Sequence, residues 1–286
     1  NTVGLITNII LDPILIFGWG FAPKLGVAGA AIATVFAQIV VTTCFIYIIV
    51  KSKEEYFKLR LFKEIETKYY KVLYKLGLPI AIQSGMFTVF SMLLGVIVAS
   101  WGPVAVAVQK VGSQIEAISW MTAEGLSVAL GSFVGQNYGA KKYSRINKGC
   151  KIAITVSSVL GIITTLVLVF AGESIFSIFI DESEAIEKGA VYLKILGYSQ
   201  FFMCLEIITT GAFKGLGRTY IPSIIITILT GARVPLAYFI SRPEMLGLNG
   251  VWWSITLSSI LKGILMISLF IYLLKLGKLY KFLNKI

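Results

Sequence analysis

Apolar residues in this chain come in long runs separated by short polar stretches, and the runs are of a length to cross a bilayer. Eight are read, at about 1–20, 26–50, 76–100, 105–137, 150–171, 187–213, 219–240 and 247–275. A helix that spans the hydrocarbon core needs about 20 residues. The run at 105–137 is longer than this, so its last turns are expected to protrude into water. The pattern predicts an all-α integral membrane protein built as a polytopic helical bundle.

The first two runs and the last two share a pattern. "DPILIFGWGFAPKLGVAGAAIAT" carries Pro13, Phe17, Gly26 and Gly29, and "RVPLAYFISRPEMLGLNGVWWSI" carries Pro235, Phe239, Gly247 and Gly250. The offset is 222 positions for the first two pairs and 221 for the other two. Four matches in order imply an internal repeat. If the runs from 76 onward form one six-helix repeat, the first two runs are the last two helices of an earlier, truncated copy. Six is even, so both copies insert the same way round. The expected organisation is residues 1–50 as the end of an N-terminal lobe, 51–75 as a basic cytoplasmic linker, and 76–286 as a six-helix C-terminal lobe. On this reading four more helices precede Asn1.

Composition agrees: 57% of residues are hydrophobic, 14% are charged, and mean hydropathy is +0.84. A net charge of +12 would fit a nucleic-acid binder, but the charges lie in the wrong places for that. Eight Lys/Arg fall within 51–75 and five within 140–151, with Lys214, Arg218 and more lysines after Lys275. The alternate loops are nearly free of basic residues, and "DESEAIEK" is acidic. This is the positive-inside bias, which puts the basic loops and the C-terminus in the cytoplasm of a multi-pass protein of the cell (plasma or inner) membrane. Cys44, Cys150 and Cys204 lack CxxC spacing and read as small apolar residues. The chain has no histidine, no metal-type cluster and no paired aspartates in adjacent runs, so intramembrane protease chemistry lacks its residues and no enzyme or cofactor is expected.

The sharpest chemistry lies in "TNIILDPILIF", where Asp12 sits about 16 Å along the first run, near the middle of the hydrocarbon. A carboxylate there costs about 3 kcal/mol on insertion scales. Asn8 is one turn earlier on the same face. Pro13 removes a backbone donor, which bends the helix and frees the carbonyl of Ile9. A carboxylate, an amide oxygen and a carbonyl make a small hard-oxygen pocket suited to H+ or Na+, and no other metal is expected. The competing reading is a permanently protonated packing residue bonded to Asn8.

Other intramembrane polar groups are Gln109, Ser113, Glu116, Trp120 and Glu124, spaced to share one face of the fourth run. Facing a wet cavity, that stripe suits aromatic or cationic compounds; facing protein, it is a packing stripe with Glu124 paired to a neighbour. Glu206 is expected to pair with Arg233 or Lys262, because buried charges rarely stand alone. Gly26, Gly29, Ala30, Ala33 and Ala37 line one side of the second run and allow close helix approach.

The chain resembles the multidrug and toxic compound extrusion (MATE) family. "LDPILIFG…LGVAGAAIATVFAQ" resembles the fifth and sixth helices of that family and "LGLPIAIQSG" the start of the seventh. "AEGLSVALGSFVGQNYGAKK" resembles the eighth helix, and "GAFKGLGRTYIPS" the junction of the tenth and eleventh. The resemblance implies twelve helices in two six-helix lobes around a cleft, the first lobe truncated here. It implies a monomeric secondary antiporter when intact, needing the missing N-terminal helices. Such an antiporter exports drugs or other organic, often cationic, compounds in exchange for H+ or Na+ by alternating access. It also assigns Asn8 and Asp12, with Thr34, to a cation site, and Gln83, Glu116, Trp120 and Glu206 are expected to line a substrate cavity. Some branches of the family carry an acid on the seventh helix where this chain offers Gln83, so coupling is expected through Asp12. The alternative is a lipid-linked oligosaccharide flippase of related architecture, which would need several cations facing its cavity.

Overall fold

The computed structural model describes residues 2–20, 23–52 and 67–275, and every regular element among them is helical. In chain order these are α1 (Thr2–Phe17), α2 (Val27–Lys51), α3 (Thr67–Ala99), α4 (Pro103–Gly139), α5 (Tyr143–Phe170), α6 (Gly172–Phe176), α7 (Ser183–Gly197), α8 (Gln200–Gly215), α9 (Tyr220–Gly231), α10 (Arg233–Ile240) and α11 (Leu248–Lys275). Six helices among the described residues are long and apolar enough to span a membrane, with α9 and α10 together counting as one. The remaining two runs take other forms. α1 is a 16-residue apolar helix, and the run at 187–213 is two helices bent by 50°. Two helix starts also move: α3 begins at Thr67, inside the expected linker, and α5 at Tyr143. The rest of that linker (53–66) and the lysines after Lys275 lie outside the described residues.

The break between α7 and α8 follows from how its carbonyls are satisfied. In hydrocarbon a freed backbone group must find an internal partner. The Thr256 hydroxyl donates to Ile195 O at 2.9 Å and the Thr165 hydroxyl to Gly197 O at 3.0 Å. The Ser199 N–H and hydroxyl both donate to Leu196 O, at 3.0 and 2.8 Å. Side chains from α11 and α5 thus replace the helical bonds that the bend removes.

The helices divide into two compact units, residues 1–66 and 67–286. In the first, α1 and α2 form a tight hairpin. The N–H groups of Leu25 and Gly26 donate to Leu15 O and Ile16 O, and Gly26 sits at φ +55°, where a side chain is strained. Gly29 lies so close to the Leu15 carbonyl that a Cβ would collide with it. The α10–α11 corner is built alike. Leu246 N–H donates to Ile240 O at 3.2 Å, Gly247 sits at φ +54°, and Gly250 abuts the Ile240 carbonyl. The glycines matched by the repeat do the same work at both corners.

In the second unit α8 is the central element. Gly211 and Gly215 let it touch the α4 backbone at Ser127 and Gly131, and the Ser127 hydroxyl donates to Ile207 O at 2.8 Å. The Ser157 hydroxyl of α5 reaches Cys204 O at 3.0 Å, and Gly263 of α11 abuts the Phe202 carbonyl. Two apolar clusters fill the spaces between helices, one around Tyr192 and Trp252 and one around Phe213 and Phe270. Glu206 is thereby held in the middle of the unit.

Candidate functional site

Within residues 1–66, the α1–α2 hairpin brings Asn8 to Thr34. The Asn8 amide donates to the Thr34 hydroxyl at 3.5 Å, and that hydroxyl donates to Ala30 O at 2.9 Å. α1 runs unbroken through Pro13, and Asp12 stands one turn beyond Asn8. Asp12 Oδ1 is shielded from solvent and has no hydrogen-bond partner among the described residues. The Asn8 amide is directed to Thr34. Asn8, Thr34 and Asp12 thus offer hard oxygens on one hairpin, and Asp12 Oδ1 is shielded without a hydrogen-bond partner among the described residues.

Within residues 67–286 a cavity of about 570 Å³ opens between α3, α4, the α7–α8 bend, α10 and α11. Of the residues expected from the sequence, Glu116, Trp120 and Glu206 line it, with Ser113. Gln83 does not; Phe87, one turn further along α3, takes the wall position. The α4 stripe is split between two surroundings. Glu124 lies at a separate groove beside Lys214, whose Nζ is 3.9 Å away, a loose and partly exposed pair.

Glu206 and Lys262 form an ion pair, both almost fully buried, with Nζ 3.0 Å from Oε2 and donating to Oε1 at 3.2 Å. Arg233, 8% exposed, also lines the cavity; its guanidinium donates to the Ser258 hydroxyl and, at 2.8 Å, to the Ser259 hydroxyl. Glu116 Oε1 is shielded without a hydrogen-bond partner among the described residues. Sequence reasoning did not single out Ser199, Gln200, Gln114 or Ser259 as lining residues. An amide inside an apolar run, as at Gln200, was the available signal. The helix break that turns it into the cavity has no local signature.

Three comparisons with known proteins bear on this geometry. The MatE family model matches residues 79–239. The chain is similar to a probable multidrug resistance protein NorM of Thermotoga maritima, 30% identical over 248 residues, covering 86% of this chain and 53% of that protein. It is also similar to the multidrug export protein MepA of Staphylococcus aureus, 26% identical over 275 residues, covering 96% of this chain and 58% of that protein. Among solved structures, a MATE protein in the straight conformation superposes with a TM-score of 0.85 at 22% identity, covering 98% of this chain and 62% of that one. This last likeness shows the fold. The chain spans about half the length of the curated relatives it matches.

Proposed function

The chain belongs to the MatE family, and on that premise we propose that its protein is a secondary antiporter exporting drugs or other organic, often cationic, compounds in exchange for H+ or Na+. The observation that carries the coupling half is the shielded oxygen of Asp12, without a hydrogen-bond partner among the described residues, one turn from Asn8 and its contact with Thr34. A carboxyl group in an apolar helix is costly to place, and an open acceptor on it suits a site that takes up and gives back a proton or a small cation. The cavity at Glu206 carries the substrate half, since its volume falls in the drug-sized range of roughly 300–1,000 Å³. Two lobes rocking about such sites alternate access, and each proton entering across 100 mV supplies about 2.3 kcal/mol. The positive-inside bias of the basic loops supports a cytoplasmic position for them and for the C-terminus. The flippase alternative needs several free cations for a pyrophosphate; here Lys262 is already bound to Glu206, which favours antiport.

The test is efflux of a fluorescent cationic dye by the full-length protein in proteoliposomes with an imposed proton or Na+ gradient. Asp12→Asn is expected to abolish gradient-driven transport, and full transport by that variant would overturn the assignment. Replacing Na+ by choline at a fixed pH gradient separates the two coupling ions.

A further inference from the structure

A second cavity lies in the 67–286 unit, apart from the one at Glu206. It is a groove of about 510 Å³ where the end of α5 meets α6 and α7, and its walls include Phe170, Glu173, Ile186, Glu187, Val191 and Lys194. Its depth in the bilayer follows from α5. Lys151, the last basic residue of that helix, lies 19 positions before Phe170, the last residue of all. That is about 28 Å of helix, close to the roughly 30 Å of a hydrocarbon core. Phe170 therefore marks the boundary with the headgroups, and at 81% exposed it is left uncovered by the helices of its own unit.

α7 runs back along α5 in the opposite sense. Gly197 packs on Leu168 and Val169, Gly172 on Leu193 and Ala190, and Gly189 on Phe176. Going from Lys194 to Glu187 thus leads outward from the hydrocarbon boundary into the headgroup layer, over two turns or roughly 10 Å. Glu187, Val191 and Lys194 are spaced to share one face of α7, and Glu173 reaches the same groove from α6. All three charged residues are exposed, and none forms an ion pair among the described residues. The neighbouring Glu184–Lys188 pair, at 2.6 Å, is closed on itself outside the groove.

The order of charges decides the occupant. A cation lies at the hydrocarbon boundary and carboxylates lie beyond it. A zwitterionic phospholipid has the complementary order, its phosphate next to the acyl chains and its amine further out. Carboxylates bond strongly to an ammonium that carries N–H donors, which a choline headgroup lacks. A glycerol headgroup brings no cation at all and would set its phosphate charge against two carboxylates. We propose that this groove holds a phospholipid with a primary-amine headgroup, phosphatidylethanolamine. Lys194 receives its phosphate, Glu187 and Glu173 its ammonium, and Phe170 and Val191 lie along its acyl chains. The proposal stands independently of the antiport reading.

The test is lipid retention. The full-length protein, stripped of lipid in detergent, is mixed with equal amounts of phosphatidylethanolamine, phosphatidylcholine and phosphatidylglycerol of one acyl composition. Native mass spectrometry then counts the first lipid bound. Phosphatidylethanolamine is expected to be favoured about tenfold over each of the others, the scale of one charge-assisted contact. Glu173→Gln with Glu187→Gln should remove its advantage over phosphatidylcholine. Lys194→Gln should lower both zwitterionic lipids together, and Glu184→Gln, outside the groove, should change nothing. Equal retention of the three lipids by the unaltered protein would overturn the proposal, whatever the variants do. So would a preference for phosphatidylglycerol, which would mark a simple cationic patch, or an undiminished preference in the double glutamate variant. Displacement of the lipid by soluble phosphoethanolamine at equal concentration would put a water-borne zwitterion in the groove and overturn the lipid assignment.

Discussion

Glu206 on α8 and Lys262 on α11 hold each other at 3.0 Å in the interior of the helical unit, across a separation of 56 positions in sequence. Removing one partner strands the other. Glu206→Gln is expected to destabilise the protein by about 3–5 kcal/mol, because the Lys262 ammonium is left buried without a counter-charge. Glu206→Gln with Lys262→Met should recover most of that loss. Thermal unfolding in detergent, followed by tryptophan fluorescence, measures both; a single variant as stable as the parent would show that the pair is held by something other than mutual charge.

The α7–α8 bend should depend on hydroxyls contributed from elsewhere. Thr256→Val keeps the side-chain shape and removes the donor to Ile195 O. A loss of about 1 kcal/mol is expected, the scale of one hydrogen bond inside a membrane protein. Thr165→Val should do the same at Gly197 O. The two losses are predicted to exceed those of Thr→Val changes at Thr43 or Thr88, whose hydroxyls only bond back to their own helix.

The two glycine corners make a paired prediction. Gly29→Ala and Gly250→Ala each place a methyl group on a carbonyl, that of Leu15 or Ile240. Each is expected to cost about 1–3 kcal/mol through forced separation of the helices. Gly95→Ala and Gly125→Ala, which meet open space, should be near neutral or slightly stabilising through helix propensity. Expression level and thermal midpoint of the four variants decide it.

The α4–α8 crossing is predicted to be the least tolerant contact in the unit. Gly211 abuts the Ser127 backbone and Gly215 abuts Gly131. Gly211→Leu should prevent close approach, move Glu206 off the cavity wall and abolish dye binding along with stability. If the variant instead binds dye normally, the crossing does not position the cavity.

Much of this protein was legible without coordinates, for reasons that are local. Hydrocarbon demands long apolar helices, so the eight runs, the family resemblance and the all-helical fold follow from residue order alone. Glycines that must admit a carbonyl or hold a positive φ repeat at a fixed offset, so both corners were visible as a repeat. Asp12 stood out as a candidate because a carboxyl group in an apolar run is costly wherever it points. What residue order could not decide was which distant groups meet. Glu206 had two candidate partners, and only the packing of α8 against α11 chose Lys262 and left Arg233 to two serines. The break at Tyr198–Ser199 lies inside a continuous apolar run and exists because hydroxyls from α5 and α11 satisfy its carbonyls. Gln83 and Phe87 are a turn apart on one helix, and the rotation of α3 against its neighbours gave the wall to Phe87. Burial cost is a property of each residue in its own segment, whereas pairing is a property of the assembled helices, and that difference separates what was foreseeable here from what was not.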